Sequence, residues 1–329
     1  MSVFSVLLAL LLEQLKPLRR GVAVHHAMAT WSQWVGSNFD AGQARHAWVV
    51  WAVTTTLPAL VAWAVFAFLI RYSVLLGLVW NVGILYLTLG FRQFSHFFTG
   101  IRDALERDDE PEARRLLSEW RYLDASELPR TELLRHVIEH SLLAAHRNVF
   151  GVFFWFVVLS AIGLGPAGAV IYRTAEFASR FWADRGRGFE EFTNGRLATL
   201  SREMFSSMDH LPARLTAFGF AVVGNFEESV NCWRRDAKLW VRLNEGVVLS
   251  AASGAVGVRL GGDSAPAVGA DDVASAARVA GADELGAEGS TTGMAPVLGH
   301  LRSVVGLVWR SVVLWMLLLT LLTLANLIG

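Results

Sequence analysis

From Ala47 to Ile70 about 24 consecutive residues carry no charge, more than the roughly 20 that a helix needs to cross the hydrocarbon core of a bilayer. A second run, Ser73 to Gly90, follows after only Arg71 and Tyr72, so the two predict a helical hairpin closed by a tight turn. A third, Val304 to Ile328, is interrupted near its start by Arg310 alone, whose long stem can carry its charge to the interface. Lipid offers backbone groups no hydrogen-bond partner, so spans of this kind must be helices. The expectation is an all-α, multi-pass integral membrane protein whose first partner is the lipid bilayer. The remaining composition agrees. Over 329 residues, 53% hydrophobic content with 18% charge and a mean hydropathy of +0.41 exclude an ordinary soluble domain. Zero net charge leaves no overall basic field to hold nucleic acid. The single cysteine, Cys232, supports neither an intrachain disulfide framework nor a cysteine zinc site.

Met1 to Leu12 is apolar and short, and its charges (Glu13, Lys16, Arg19, Arg20) come after the run. A secretory signal carries them before it. The run reads as a short first span with its N-terminus outside. Phe150 to Tyr172 is long enough to cross, but Gly163-Leu164-Gly165-Pro166-Ala167-Gly168 breaks it. Both flanks are arginine-rich, from Arg92 to Arg147 before it and from Arg173 to Arg202 after it. Under the positive-inside rule both lie in the cytoplasm, which a re-entrant helical hairpin satisfies and a full crossing does not. The expected organisation is therefore N-terminal membrane helices over 1–90 (about three spans), a cytoplasmic helical segment over 91–149, the hairpin with the motif-bearing region over 150–262, a flexible acidic Ala/Gly-rich loop over 263–302, and a C-terminal span over 303–329. That gives about four spans in a cytoplasmic (inner) membrane. Residues 211–224 and 247–258 are each shorter than a span and fit either a membrane-surface helix or a piece packed over the hairpin.

Several constellations bear on chemistry. His136-Val137-Ile138-Glu139-His140 has the H-x-x-E-H form of an inverted zinc-protease motif and puts both histidines on one helical face. It lacks a third ligand at a recognisable spacing, and a polar helix face accounts for it, so no metal is assigned. His25-His26 reads as an interfacial pair, and tryptophans such as Trp31, Trp51, Trp63 and Trp80 read as interface and packing residues. No Walker A, G-x-G-x-x-G or G-x-S-x-G pattern occurs. Leu260-Gly261-Gly262-Asp263 fits two readings. In one, backbone N–H groups approach an anion beside Arg259; in the other, it is a plain turn closing a short helix.

Two segments carry a resemblance. Ser250-Ala251-Ala252-Ser253-Gly254-Ala255-Val256-Gly257-Val258-Arg259-Leu260-Gly261-Gly262 resembles the A-G-A-L-G-[IV]-x-L-G-G segment of the CbiB/CobD membrane proteins of cobalamin biosynthesis. Leu211-Pro212-Ala213-Arg214-Leu215-Thr216 is similar to that family's [YI]-[LI]-P-A-R-L-[ST]. The Phe153–Tyr172 stretch, with its Gly-Pro break and closing Tyr172-Arg173, is similar to a third family segment. The resemblance implies a membrane protein that forms the amide bond attaching an aminopropanol arm, or its phosphate, to adenosylcobyric acid. It also implies Mg-ATP as cofactor, with carboxylates to hold the ion. On that basis Arg214 and Arg259 are candidates for engaging anionic groups of a corrinoid, and Gly261 and Gly262 for letting the backbone approach. Asp209 and Arg173 complete the ligand-binding candidates, and no residue is assigned a catalytic role. Arg214 also fits a snorkelling or helix-capping arginine.

The acidic motifs depart from the family pattern. His146-Arg147-Asn148-Val149-Phe150-Gly151 stands where E-N-T-x-D-G is expected, Glu176-Phe177-Ala178-Ser179-Arg180 where N-T-L-D-S is expected, and Phe205-Ser206 where an Asp-Asp pair is expected. Replacing acids by apolar and basic groups removes metal ligands and reverses local charge. These departures also resemble AmpE, a divergent relative linked to β-lactamase induction, as does Asp209-His210-Leu211-Pro212-Ala213-Arg214-Leu215. The alternative expectation is thus a non-catalytic accessory or signalling protein with a membrane or cytoplasmic protein partner.

Overall fold

The computed structural model describes residues 2–15, 21–39, 44–89, 91–121, 125–185, 195–262 and 289–328. They form α1 (Ser2–Leu15), α2 (Gly21–Phe39), α3 (Ala44–Tyr72), α4 (Val74–Thr88), α5 (Phe91–Glu106), α6 (Glu110–Arg121), α7 (Arg130–Ala145), α8 (Gly151–Ala161), α9 (Ala167–Arg185), α10 (Gly195–Val223), α11 (Phe226–Asp236), α12 (Leu243–Val256) and α13 (Leu298–Ile328). The extended structure among the described residues is two isolated bridges, Val258 with Met294 and Gly261 with Ser290. The chain is an all-α membrane protein. Three helical stretches are long and apolar enough to cross a bilayer: His46–Tyr72, Arg130–Ala161 and Leu298–Ala325.

The expected hairpin of 47–90 is present, with Ser73 capping α4 through its side-chain oxygen. At 15 residues α4 rises only about 22 Å, and α1, at 14, is shorter still. Both are apolar helices shorter than a span, and among the described residues of 1–90 the stretch long and apolar enough to cross is His46–Tyr72. The break at Gly163–Gly168 also forms as expected, but no break precedes Phe150. A π-helical turn, His146–Phe150, joins α7 to α8, so the helix continues from Arg130 to Ala161. Most of the acidic loop expected over 263–302 lies outside the described residues. Its end does not: Met294 pairs with Val258, Ser290 with Gly261, and α13 starts at Leu298.

The chain divides into two compact units. Unit 1 comprises residues 1–92, 147–212 and 323–329. In it α8 and α9 turn back on each other through Gly163 and Gly165, both at positive φ. A Cβ at Gly168 would overlap the Trp155 carbonyl, and one at Gly151 the Tyr172 ring, so glycine permits the close approach of the two helices. Two internal prolines are accommodated by one device. Proline has no N–H and frees the carbonyl four residues back. For Pro58 of α3 that carbonyl is Thr54, which accepts the Trp31 indole N–H at 3.2 Å. For Pro212 of α10 it is Met208, which accepts the Trp155 indole N–H at 3.2 Å.

Unit 2 comprises residues 93–146 and 213–322. Its centre is α12, whose residues Asn244 to Gly254 are all buried. The 247–258 segment is therefore core, not a helix lying on a membrane. Small residues make this possible: a Cβ at Gly254 would overlap the Glu228 carbonyl of α11, and one at Gly246 would meet the carbonyl of Ala237 and the ring of Trp240. Ala217, Ala237, Val247 and Ala251 form an apolar cluster with Trp233 against it. Gly257, at φ +77°, ends α12, with its own N–H and that of Val258 returning to the Ser253 carbonyl.

Candidate functional site

The sequence-derived candidates fall into two groups, one in each unit. In unit 2 the glycine turn after α12 is held from several sides. The Glu139 carboxylate accepts the Gly261 N–H at 2.7 Å, and Arg135, one helical turn earlier on α7, donates to the Gly261 carbonyl. The Leu260 N–H goes to Thr291 Oγ1 at 2.8 Å, and the Thr291 N–H returns to the Leu260 carbonyl at 2.8 Å. Ser253 donates to the Val258 carbonyl at 2.7 Å and lies 2.7 Å from Thr291 Oγ1. Gly261 sits at φ +87°, a conformation that glycine tolerates and other residues resist. The backbone N–H groups of 259, 260 and 261 are thus all committed to protein acceptors. Gly257 rather than the Gly261-Gly262 pair closes the helix, and Leu260 and Gly261 form a buried, cross-braced turn. The Arg259 side chain projects from it and is exposed.

Arg214 of α10 is half-buried and donates to Asn244 Oδ1 of α12 at 3.3 Å. Asn244 is in the first turn of α12, two residues from Gly246, which Trp240 covers. Gly289 packs on Trp240, and the Gly289 carbonyl lies against Gly261. Arg214 thus reaches the first turn of α12 directly, whereas the L-G-G turn is linked to that end of the helix only through Gly289 and Trp240. His146, in the π turn, lies 2.9 Å from Thr216 Oγ1, two residues beyond Arg214.

The H-x-x-E-H residues serve this packing. Besides Glu139 on Gly261, the buried His136 lies 3.3 Å from an Arg121 nitrogen, and His140 meets Trp120 edge-on at 4.5 Å. His136 Nδ1 also lies 3.9 Å from Glu139 Oε2. Among the described residues no group of three or more His, Cys, Asp or Glu side chains is placed to hold a metal ion.

In unit 1 the Asp209 carboxylate accepts the hydroxyl of the fully buried Tyr172 at 2.7 Å, and Phe205 lies against the Tyr172 ring at 5.5 Å. Arg173 donates through Nη1 to Asn148 Oδ1 at 2.6 Å and to Glu176 Oε2 at 3.0 Å. Arg180 reaches Glu176 through Nη2, at 2.7 Å from Oε1 and 2.9 Å from Oε2. Burial pushes the Glu176 carboxyl up, but Arg180, Arg173 and Arg147 together outweigh it and hold the group below the usual carboxylate range. The exposed His25 of α2 contacts Phe177 edge-on at 4.9 Å. Burial, then Arg180 and Arg173, lower its basicity. Sequence reasoning singled out Arg173 and Asp209 but not Tyr172, Glu176 or Asn148 as their partners. The i, i+3 spacing of Arg173 and Glu176 and the i, i+4 spacing of Glu176 and Arg180 were the local signals for this network.

This cluster decides whether a divalent cation fits. Residues from the three departed motifs, Arg147 and Asn148, Glu176 and Arg180, and Phe205, do converge here. However, both oxygens of Glu176 are occupied by guanidinium groups and Asp209 is engaged by Tyr172. A hard cation needs several free oxygen ligands. The residues present do not fit the ion of Mg-ATP.

Comparison with known proteins gives the following. The family model described as CobD/Cbib protein matches residues 3–278. The chain is 32% identical to "Cobalamin biosynthesis protein CobD" of Stutzerimonas stutzeri over 328 residues, 97% of each chain. It is 34% identical over 188 residues, 57% of each chain, to the protein of the same name from Chromobacterium violaceum. No solved structure matches it significantly.

Proposed function

The chain belongs to the CobD/CbiB family, and from that premise we propose that it serves cobalamin biosynthesis in the cytoplasmic membrane by engaging adenosylcobyric acid for attachment of its aminopropanol arm. The observation that carries this reading is the match along nearly the whole chain to a relative whose name states that pathway, supported by the contact of Arg214 with the first turn of α12. In this reading Arg214, oriented by Asn244, meets an anionic group of the corrinoid, and the exposed Arg259 flanks it. The L-G-G turn contributes shape: braced by Glu139, Arg135 and Thr291, it fixes where Arg259 projects. No step is assigned to a divalent ion at the arginine cluster. The AmpE-like accessory role is not favoured, since the family match and the relatives are CobD proteins.

A strain lacking its own CobD and supplied with adenosylcobyric acid tests this. Expression of the chain is expected to restore cobalamin-dependent growth, and Arg214→Ala to reduce it. Growth that returns only when adenosylcobinamide is supplied, with the protein present in the membrane, would overturn the proposal.

A further inference from the structure

In the arginine cluster of unit 1, Arg173 and Arg180 share the Glu176 carboxylate, so that within this trio two guanidiniums face one carboxylate. Burying surplus charge is costly unless something compensates it. Arg173 donates to protein through Nη1 alone, and Arg180 through Nη2 alone. The Nε and second Nη of each have no acceptor among the described residues. The side chains are graded in exposure, Glu176 at 2%, Arg173 at 19% and Arg180 at 45%, so the cluster is closed at the carboxylate and open at Arg180. His25 flanks that opening.

We infer that Arg173 and Arg180 form a binding site for an oxyanion, a phosphate or carboxylate group, where the family resemblance would place a cation. A planar guanidinium presents paired donors that match two oxygens of such a group, and two with free donor edges beside one opening make a receptor for it. Glu176 holds both arginines in place and sets the limit on how much negative charge the site accepts. The site lies in unit 1 and stands independently of the reaction proposed above.

The two possible signs of the site make opposite predictions for the same pair of variants. For an anion site, Arg180→Gln removes a charged donor and weakens binding about tenfold, whereas Glu176→Gln removes the competing carboxylate and tightens it. For a cation site, Glu176→Gln abolishes binding and Arg180→Gln leaves or improves it. Titration of the detergent-purified protein with sodium phosphate, and separately with MnCl2, reads this directly, with thermal melting to verify that each variant is folded. A parallel arm compares nanodiscs of phosphatidylglycerol with nanodiscs of phosphatidylcholine. Phosphate binding with the anion pattern supports the site for a soluble ligand. A melting temperature raised by phosphatidylglycerol in the parent and not in Arg180→Gln supports it with a lipid headgroup as the source. Manganese binding lost in Glu176→Gln would overturn it, as would folded protein that responds to neither phosphate nor phosphatidylglycerol.

Discussion

Gly261 combines a positive φ with a site where a Cβ would overlap the Gly289 carbonyl. Gly261→Ala is expected to destabilise unit 2 by at least about 2 kcal/mol, read as a lowered melting temperature in detergent. Alanine at Gly299, where a Cβ meets nothing within 4 Å, is expected to leave it unchanged. Glu176 supplies a pH signature. Its folded pKa lies below its ordinary value of 4.5, so its contribution is complete above that value and is lost as pH falls through the lower folded one. Melting temperature measured from pH 7 down to pH 3 should therefore fall below about pH 4.5, and Glu176→Gln should flatten that limb. Discounted for the half-exposed Arg180, that substitution costs on the order of 2 kcal/mol at neutral pH. At this scale the sequence exposed the identity of some candidates and little of their roles. Gly261 was legible as a glycine of special conformation, but its bond to Glu139 spans 122 residues and leaves no local pattern. For the same reason His136, Glu139 and His140 resembled a metal motif, while their contacts to Arg121, Gly261 and Trp120 left no sequence signal.

Helices α3 and α10 each carry an internal proline whose freed carbonyl is taken by a tryptophan from another helix. Trp155→Phe keeps most of the apolar area but leaves the Met208 carbonyl unpaired, which should cost about 1–3 kcal/mol. Trp80→Phe is the control. Its indole N–H meets the Ala62 carbonyl at 2.9 Å, but no proline follows four residues later to free that carbonyl, and the change should cost less. Comparing the two melting temperatures separates a tryptophan that satisfies a proline from one that only packs. The second half of α10 exposes Leu215, Phe218 and Val222 along one face, while Gly219 faces Trp315 of the candidate span α13 at 3.4 Å. That contact places the stripe beside lipid. Nitroxide labels on cysteines introduced at 215, 218 and 222 are expected to be more accessible to oxygen than to a water-soluble nickel chelate, and the reverse order would refute lipid contact. Burial raises the pKa of the native Cys232 thiol, so the introduced cysteines react selectively. The sequence left 211–224 open between a membrane-surface helix and a packed piece, because Arg214 flanks the apolar stripe and Thr216 lies on the buried side. The long apolar runs of α3 and α13 were legible because few charges dilute them.

At the scale of the molecule the chain passes between its two units repeatedly, leaving unit 1 after residue 92, returning at 147 and leaving again after 212. Membrane character and helical class followed from the sequence because they depend on composition and run length. The interleaving did not, since it depends on which buried faces match. It separates two roles: unit 2 holds the P-A-R-L and L-G-G segments around α12, and unit 1 holds an arginine-rich centre where the family pattern implies acids. The account therefore predicts that corrinoid recognition survives in this chain and does not depend on the arginine cluster. Calorimetric titration of the detergent-purified protein with adenosylcobyric acid, without ATP or divalent cation, measures this most directly. The account predicts saturable binding, weakened about tenfold by Arg214→Ala and unchanged by Arg180→Gln. Absence of heat at any reachable concentration, from protein shown to be folded, would contradict it.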